Sequence, residues 1–249
     1  DWVKDFHDQH YAPDNAVLTI AGDFDPERTL KLVKRYFSPA ERKNTPSLVF
    51  PPMPDKPNAG RDTVRDDNAR TPGVIYGFMI PPARAPGHYA LELAGTLLAN
   101  GESSRLYKEL VHDRAVAESV SAWTEDHRGP DQFSVMAVLT DKGKLPAVEG
   151  AIEAQLARLR DTPPTKQELD KAKRQLRASF VFGLQTNMGR AIQLGEFETN
   201  FGDARLLPRE LARYLAVTPK DIQEAAQRWL TPGRASRVEV LPATKESKP

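Results

Sequence analysis

Residues 116–140 read VAESVSAWTEDHRGPDQFSVMAVLT, and the fold class turns on how they pair. Two runs, 116–124 and 132–140, flank the breaker Arg128-Gly129-Pro130. In the second run Phe133, Val135, Ala137 and Leu139 alternate with mostly small residues, so a strand would place them on one face. Two such runs joined by a short turn predict an antiparallel hairpin. Working outward, residues 73–80 (GVIYGFMI) predict another strand, and Val238, Val240 and Leu241 a last one. Helical spacing fills the intervals. Residues 88–99 (HYALELAGTLLA) carry Leu91, Ala94, Leu97 and Leu98 on one face, and 104–112 predict a short second helix. Residues 146–160 carry Val148, Ile152, Leu156 and Leu159 in register. Thr165 and Glu168 form a capping box. It opens a helix with Leu169, Ala172, Leu176, Phe180, Leu184 and Met188 that is expected to reach about residue 198, with a bend at Gly183. Thr218-Pro219 opens another, carrying Ile222, Ala225, Ala226, Trp229 and Leu230, and Thr231-Pro232-Gly233 ends it. Strands grouped between helices predict an α+β fold, a largely antiparallel sheet covered by helices on one face.

The first 38 residues read helix, strand, helix. Trp2, Val3, Phe6 and His10 share a helical face; residues 16–20 (AVLTI) predict a buried strand; Asp25-Pro26 caps a helix carrying Leu30, Val33 and Phe37. Pro39, Pro46, Pro51, Pro52, Pro54 and Pro57 then remove donors and fix φ, which predicts an extended linker over 39–60. The expected organisation is 1–38 as the end of a preceding domain, 39–60 as linker, 61–243 as a complete domain and 244–249 as a disordered tail. The helical pattern is already under way at Asp1, as in a segment of a longer chain. Strand 16–20 would then lack its sheet neighbours and is expected to pair with another chain or to repack.

The balance of 35 Lys+Arg against 34 Asp+Glu leaves a net charge of +1, so a nucleic-acid partner is not expected. A hydrophobic fraction of 39% excludes wholesale disorder. No apolar run approaches the ~20 residues a membrane helix needs. Cysteine is absent, which removes disulfides, thiolate metal sites and a cysteine nucleophile.

Motifs for chemistry are missing too. Neither H-E-x-x-H nor H-x-x-E-H occurs, nor G-x-S-x-G, nor a phosphate-binding glycine loop. His7 and His10 sit i,i+3 with Asp8 and Asp14 nearby, but no third ligand is evident, and a solvated or helix-packed pair is the favoured reading. His88, His112 and His127 stand apart and read as ordinary surface or core residues. Gly101-Glu102-Ser103-Ser104-Arg105 could expose polar groups to a substrate. A helix C-cap at Asn100-Gly101 followed by a serine N-cap is preferred. The Lys/Arg cluster at 166–177 is interleaved with Glu168 and Asp170 and reads as a solvated face. No catalytic, metal or cofactor residue is therefore assigned, and substrate-binding residues are left unknown.

Several strings resemble a known family. Tyr11-x-Pro13-x-Asn15 followed by Ala21-Gly22-Asp23-Phe24-Asp25-Pro26, and residues 97–116 (LLANGESSRLYKELVHDRAV), resemble the pitrilysin/insulinase family of inverted zinc peptidases. The two-subunit bacterial and mitochondrial-processing-peptidase branch looks nearest. Thr165-x-x-Glu168-Leu169 and Val217-Thr218 fit the same pattern. The resemblance implies repeated α/β domains that enclose a peptide-cleavage chamber, with the zinc motif upstream of this segment. The missing N-terminal domain and a homologous partner subunit would be the partners, and peptide the substrate; the fragment alone could form a homo-oligomer. The resemblance also implies an Arg/Tyr pair, seven residues apart, in non-catalytic halves. Those places are Val111 and Glu118 here, a departure that points to the second domain of a zinc-bearing subunit. A catalytically inactive structural subunit of the same architecture is the alternative; an unrelated binding module would lack the sheet-plus-helices layout. The resemblance favours the periplasm and leaves the cytoplasm open.

Overall fold

The computed structural model describes residues 1–39, 45, 49–54 and 59–243. Contacts divide them into two units, Asp1–Phe50 with Ala178–Glu210, and Pro51–Arg177 with Leu211–Pro249. These clusters follow contacts and leave the expected domain boundaries at 38 and 61 as a proposal.

The second unit carries a five-stranded sheet. Its strands are β1 (Gly60–Asp66), β2 (Gly73–Ile80), β3 (Ala117–Thr124), β4 (Asp131–Leu139) and β5 (Ala235–Pro242), in the order β1-β5-β2-β4-β3. The hairpin expected from 116–140 is present: β3 pairs antiparallel with β4, with Val120 opposite Ala137, and a register shift falls between Ala117 and Ser119. β2 pairs antiparallel with both β4 and β5, and only β1 runs parallel to its neighbour β5. β2 alternates strictly, burying Val74, Tyr76, Phe78 and Ile80. These meet Phe133, Val135, Ala137 and Leu139 in one core. Helix α3 (His88–Ala99) supplies Leu91, Leu93, Ala94 and Leu98, α4 (Leu145–Asp161) supplies Val148, Ile152, Leu156 and Leu159, and α8 (Pro219–Trp229) adds Ile222, Ala225 and Ala226. Each fully buried aliphatic side chain contributes roughly 1.5–3 kcal/mol. The face that these helices leave uncovered carries Ile75, Met79, Val138, Val238 and Val240, all half-buried, and Met136, which is exposed.

Caps explain the helix limits. Thr165 and Glu168 exchange the expected reciprocal bonds at the start of α5 (Lys166–Gly183). Thr218 and Asp221 do the same for α8. The helix expected to bend at Gly183 and run on to 198 instead stops there. Thr186 accepts from Gly189 N and starts a separate helix, α6 (Asn187–Phe201). A threonine oxygen offered to free N–H groups restarts the ladder more readily than a bend would continue it. The short helix expected at 104–112 is mainly a π-helix, Tyr107–Asp113. β1 and α7 (Leu207–Ala216) were not anticipated. β1 is polar (GRDTVRD) and exposed along nearly its whole length, so it has no alternating signal to read.

The first unit holds α1 (Trp2–His10), α2 (Pro26–Phe37) and α6. Both predicted N-terminal helices are present, and Asp25 Oδ1 accepts from Arg28 N as expected of the cap. The strand expected at 16–20 is corrected: Ala16 is extended, but residues 16–20 join no ladder. Val17, Leu18 and Ile20 are 45%, 55% and 43% exposed. The Thr19 hydroxyl donates to the Ala191 carbonyl at 2.9 Å, so side-chain contact with α6 stands where sheet pairing was expected. Of the expected linker, residues 40–44, 46–48 and 55–58 lie outside the described residues, as does the tail 244–249.

Candidate functional site

The described residues hold a single group of side chains with metal-ligand chemistry: His88, Asp126 and Asp131. In the sequence, His88 and His127 stand apart. The fold brings them together because His88 opens α3 while Asp126 and His127 lie in the β3–β4 turn and Asp131 opens β4. The only sequence signal was His127-x-x-x-Asp131 across a Gly-Pro turn.

His88 is 1% exposed. Its Nδ1 donates to the Pro81 carbonyl at 3.1 Å, and its Nε2 lies 2.8 Å from Asp126 Oδ1. A carbonyl accepts only, so Nδ1 carries a proton, and a carboxylate opposite Nε2 favours a second one. Burial alone would pull the His88 pKa down. The Asp126 hydrogen bond and charge, the Pro81 carbonyl and Asp131 outweigh it, and the net shift is upward. Asp131 is pushed up by its own burial, against the opposing pull of the Gln132 and Asp126 amides, His88 and His127. Asp126 sits at φ +59°, a conformation aspartate tolerates, and its amide donates to Asp131 Oδ2 at 3.0 Å.

This group does not fit zinc. Two ligands of one tetrahedral ion, each about 2.0–2.2 Å from it, stand about 3.3 Å apart or more. His88 and Asp126 are in direct hydrogen-bond contact at 2.8 Å, and the remaining ring nitrogen is committed to Pro81. The arrangement is a histidine–carboxylate latch, fastening the start of α3 to the hairpin turn.

The other places singled out in the sequence have structural partners. His7 stacks on Tyr11, His10 packs at a tilt against Phe6, and neither belongs to a ligand group among the described residues. In the Gly101–Arg105 segment, Gly101 takes φ +88°, the left-handed C-cap, and the Ser104 hydroxyl donates to its carbonyl at 2.7 Å. Arg105 Nε donates to Glu168 Oε1 at 2.9 Å, while Lys171 donates to the Ser103 hydroxyl. The segment thus fastens the end of α3 to the first turns of α5. Val111 packs against the core and Glu118 is exposed at the β3 irregularity. A second polar group that sequence reading missed joins β1 to α4. Arg61 bonds Glu239 and, at 3.2 Å, Glu149, while Arg237 bonds Glu153 at 2.6 Å. The buried Tyr76 hydroxyl donates to Glu153, and its pKa is pushed up by burial and then by Glu149 and Glu153.

A family model described as "Peptidase M16 inactive domain" matches residues 1–176, more than half of the chain. The chain belongs to the M16 family. It is 24% identical to the zinc protease PqqE of Helicobacter pylori over 96% of its own length and 54% of that protein. It is 23% identical to a probable mitochondrial-processing peptidase subunit beta of Schizosaccharomyces pombe, over 92% of its length and 51% of that protein. The chain spans about half the length of the curated relatives it matches. Among solved structures, a protease from H. pylori superposes with a TM-score of 0.87 at 24% identity, over 96% of this chain and 58% of that one. The inactive peptidase domain of a putative zinc protease from Bordetella parapertussis gives 0.64 at 25% identity, over 74% of this chain and 98% of that one. The M16 fold expected from the motifs is therefore present, and no helix of the described residues is long and apolar enough to cross a membrane.

Proposed function

We propose that this chain is the non-catalytic part of an M16 zinc metalloendopeptidase, walling a peptide-cleavage chamber and contacting a partner half. One observation carries the reading. The match to an inactive M16 domain coincides with a sequence free of both zinc-peptidase strings, and with a histidine group whose geometry does not fit zinc. The uncovered face of the sheet supports the walling role. A surface of Ile75, Met79, Met136 and Val138 suits contact with unfolded peptide better than with bulk water. The zinc, its two histidines and its glutamate would come from residues outside this sequence. The Val111 and Glu118 departures support a zinc-bearing subunit whose partner supplies the Arg/Tyr pair.

The test uses peptide cleavage and zinc content. The chain alone should retain no stoichiometric zinc and cleave nothing, while the full-length protein with its neighbouring subunit should do both. The absence of H-x-x-E-H from the full-length gene would overturn the reading in favour of an inactive structural subunit.

A further inference from the structure

Gly87, the residue before the His88 latch, lines a hollow of about 420 Å³ in the second unit. Gly87 takes φ +88°, and a Cβ there would stand 2.3 Å from the Trp229 ring. Glycine thus lets the indole lie against the backbone. Tyr89 and Trp229 form aromatic walls, and Val217 and Ala225 add apolar surface. The Tyr89 ring is braced edge-on by Tyr214, centroids 4.8 Å apart at 89°.

Two arginines also line the hollow. Arg228 lies 4.9 Å from the Trp229 ring centroid and Arg213 lies 6.0 Å from that of Tyr89. Ring contacts of this kind restrain a guanidinium without using its N–H donors. Among the described residues neither arginine side chain forms an ion pair or hydrogen bond. The two carboxylates at the same place are engaged. Asp221 accepts from Thr218 N and Oγ1 at 2.7 and 2.8 Å, and Glu224 faces Lys220 at 3.3 Å. The hollow therefore presents two restrained guanidinium forks beside aromatic walls.

We infer that this hollow binds the C-terminal carboxylate of a peptide whose last side chain is apolar. A guanidinium matches a carboxylate with two parallel hydrogen bonds, and the aromatic walls accept the side chain. The volume lies within the range of small-ligand pockets, roughly 300–1,000 Å³, and exceeds what one side chain fills. The penultimate residue and its backbone amide would occupy the remainder. The amino end of α3, which has no side-chain cap, adds positive potential at the same place. The inference does not rest on the peptidase reading.

The experiment titrates the full chain, ¹⁵N-labelled, with N-acetyl-Leu-Phe, its C-terminal amide and 3-phenylpropanoate. The Trp229 indole N–H resonance is the readout, assigned through Trp229→Phe. The free peptide acid is expected to shift that resonance saturably and to bind at least about tenfold more tightly than the amide. Arg213→Gln and Arg228→Gln should each weaken the acid by about tenfold and leave the remaining spectrum unchanged. Arg228→Lys keeps the charge but not the fork and should show the same direction of loss. Equal binding of the amide overturns the inference, as does phenylpropanoate matching the peptide acid. So do variants that bind like the parent, or the absence of any shift at about 10 mM, beyond the weak limit of specific affinity.

Discussion

Replacing Glu168 with glutamine tests the link between α3 and α5 most directly. The carboxylate uses both oxygens: Oε1 accepts from Arg105 Nε at 2.9 Å, and Oε2 accepts from Thr165 N at 2.8 Å and Thr165 Oγ1 at 3.0 Å. Glutamine offers one acceptor oxygen where two are needed, so its amide N–H₂ must face a donor. The Arg105 side chain is only 9% exposed and its Nη1 already lacks a partner, so losing Glu168 strands a buried cation. Partial burial tends to raise the Glu168 pKa, but Arg105 and Thr165 together lower it from 4.5 to about 2. At about 1.36 kcal/mol per pH unit that difference has a ceiling of about 3 kcal/mol. Glu168 is 30% exposed. Screening by solvent therefore reduces the figure to about 2 kcal/mol.

The sign follows from the depressed folded value. The contribution is present above the unfolded pKa of 4.5 and is lost as pH falls toward about 2. Linkage removes about 1 kcal/mol of it between neutrality and pH about 3.5. Urea unfolding followed by far-ultraviolet circular dichroism should find Glu168→Gln about 2 kcal/mol less stable at neutral pH, and the gap should narrow to about 1 kcal/mol near pH 3.5. A gap below about 0.5 kcal/mol at neutrality, the size of an ordinary surface substitution, would refute the reasoning. A gap that does not narrow with acid would refute it as well.

The His88 latch has the opposite pH sign. Its raised folded pKa means the stabilisation is complete below the unfolded value of 6.5 and is lost as pH rises through the folded one. The stability gap between the parent and His88→Phe should therefore shrink in alkaline urea titrations, and the His88 ring proton resonances should titrate above the ordinary histidine value of about 6.5. Thr218→Ala removes one side of the α8 capping box and should cost about 1 kcal/mol in the same assay, with Thr218→Ser near neutral. Gly87→Ala places a Cβ at a positive φ and against the Trp229 ring. It should cost about 2 kcal/mol or more and move the Trp229 indole resonance.

Legibility tracked burial. β2, β4, α3 and α4 were readable because their buried positions repeat every two or every three to four residues, as in Val74-Tyr76-Phe78-Ile80 and Val148-Ile152-Leu156-Leu159. Caps were readable for a local reason: Thr165, Thr218 and Asp25 act within three residues of themselves. β1 escaped because its pairing partner β5 lies about 175 residues away and its own side chains are mostly polar; Gly60 opposite Ser236 is fixed by the register, not by a pattern in GRDTVRD. The latch escaped for the same reason. His88 gives no sign of its carboxylates until α3 and the hairpin turn are brought together, and Asp126 and Asp131 look like turn residues in a Gly-Pro loop.

The strand predicted at 16–20 failed in an instructive way. Ala16–Ile20 has the composition of a buried strand, and Ala16 at its start is extended, as local preference would have it. What is absent is a ladder. The same holds for α1 and α2, which are clearly amphipathic yet bury no residue: Trp2, Leu30 and Phe37 are 75%, 53% and 57% exposed. A helix with a long apolar stripe draws most of its stability from covering that stripe. By contrast, the stripes of α3 and α4 end in the sheet core. Sequence chemistry that calls for a cover, in elements that have none among the described residues, locates where a partner surface would act. Under the function proposed above, a zinc-bearing part would supply that cover. The cover for the apolar faces of the first unit and the catalytic residues would then both lie outside this sequence for one and the same reason.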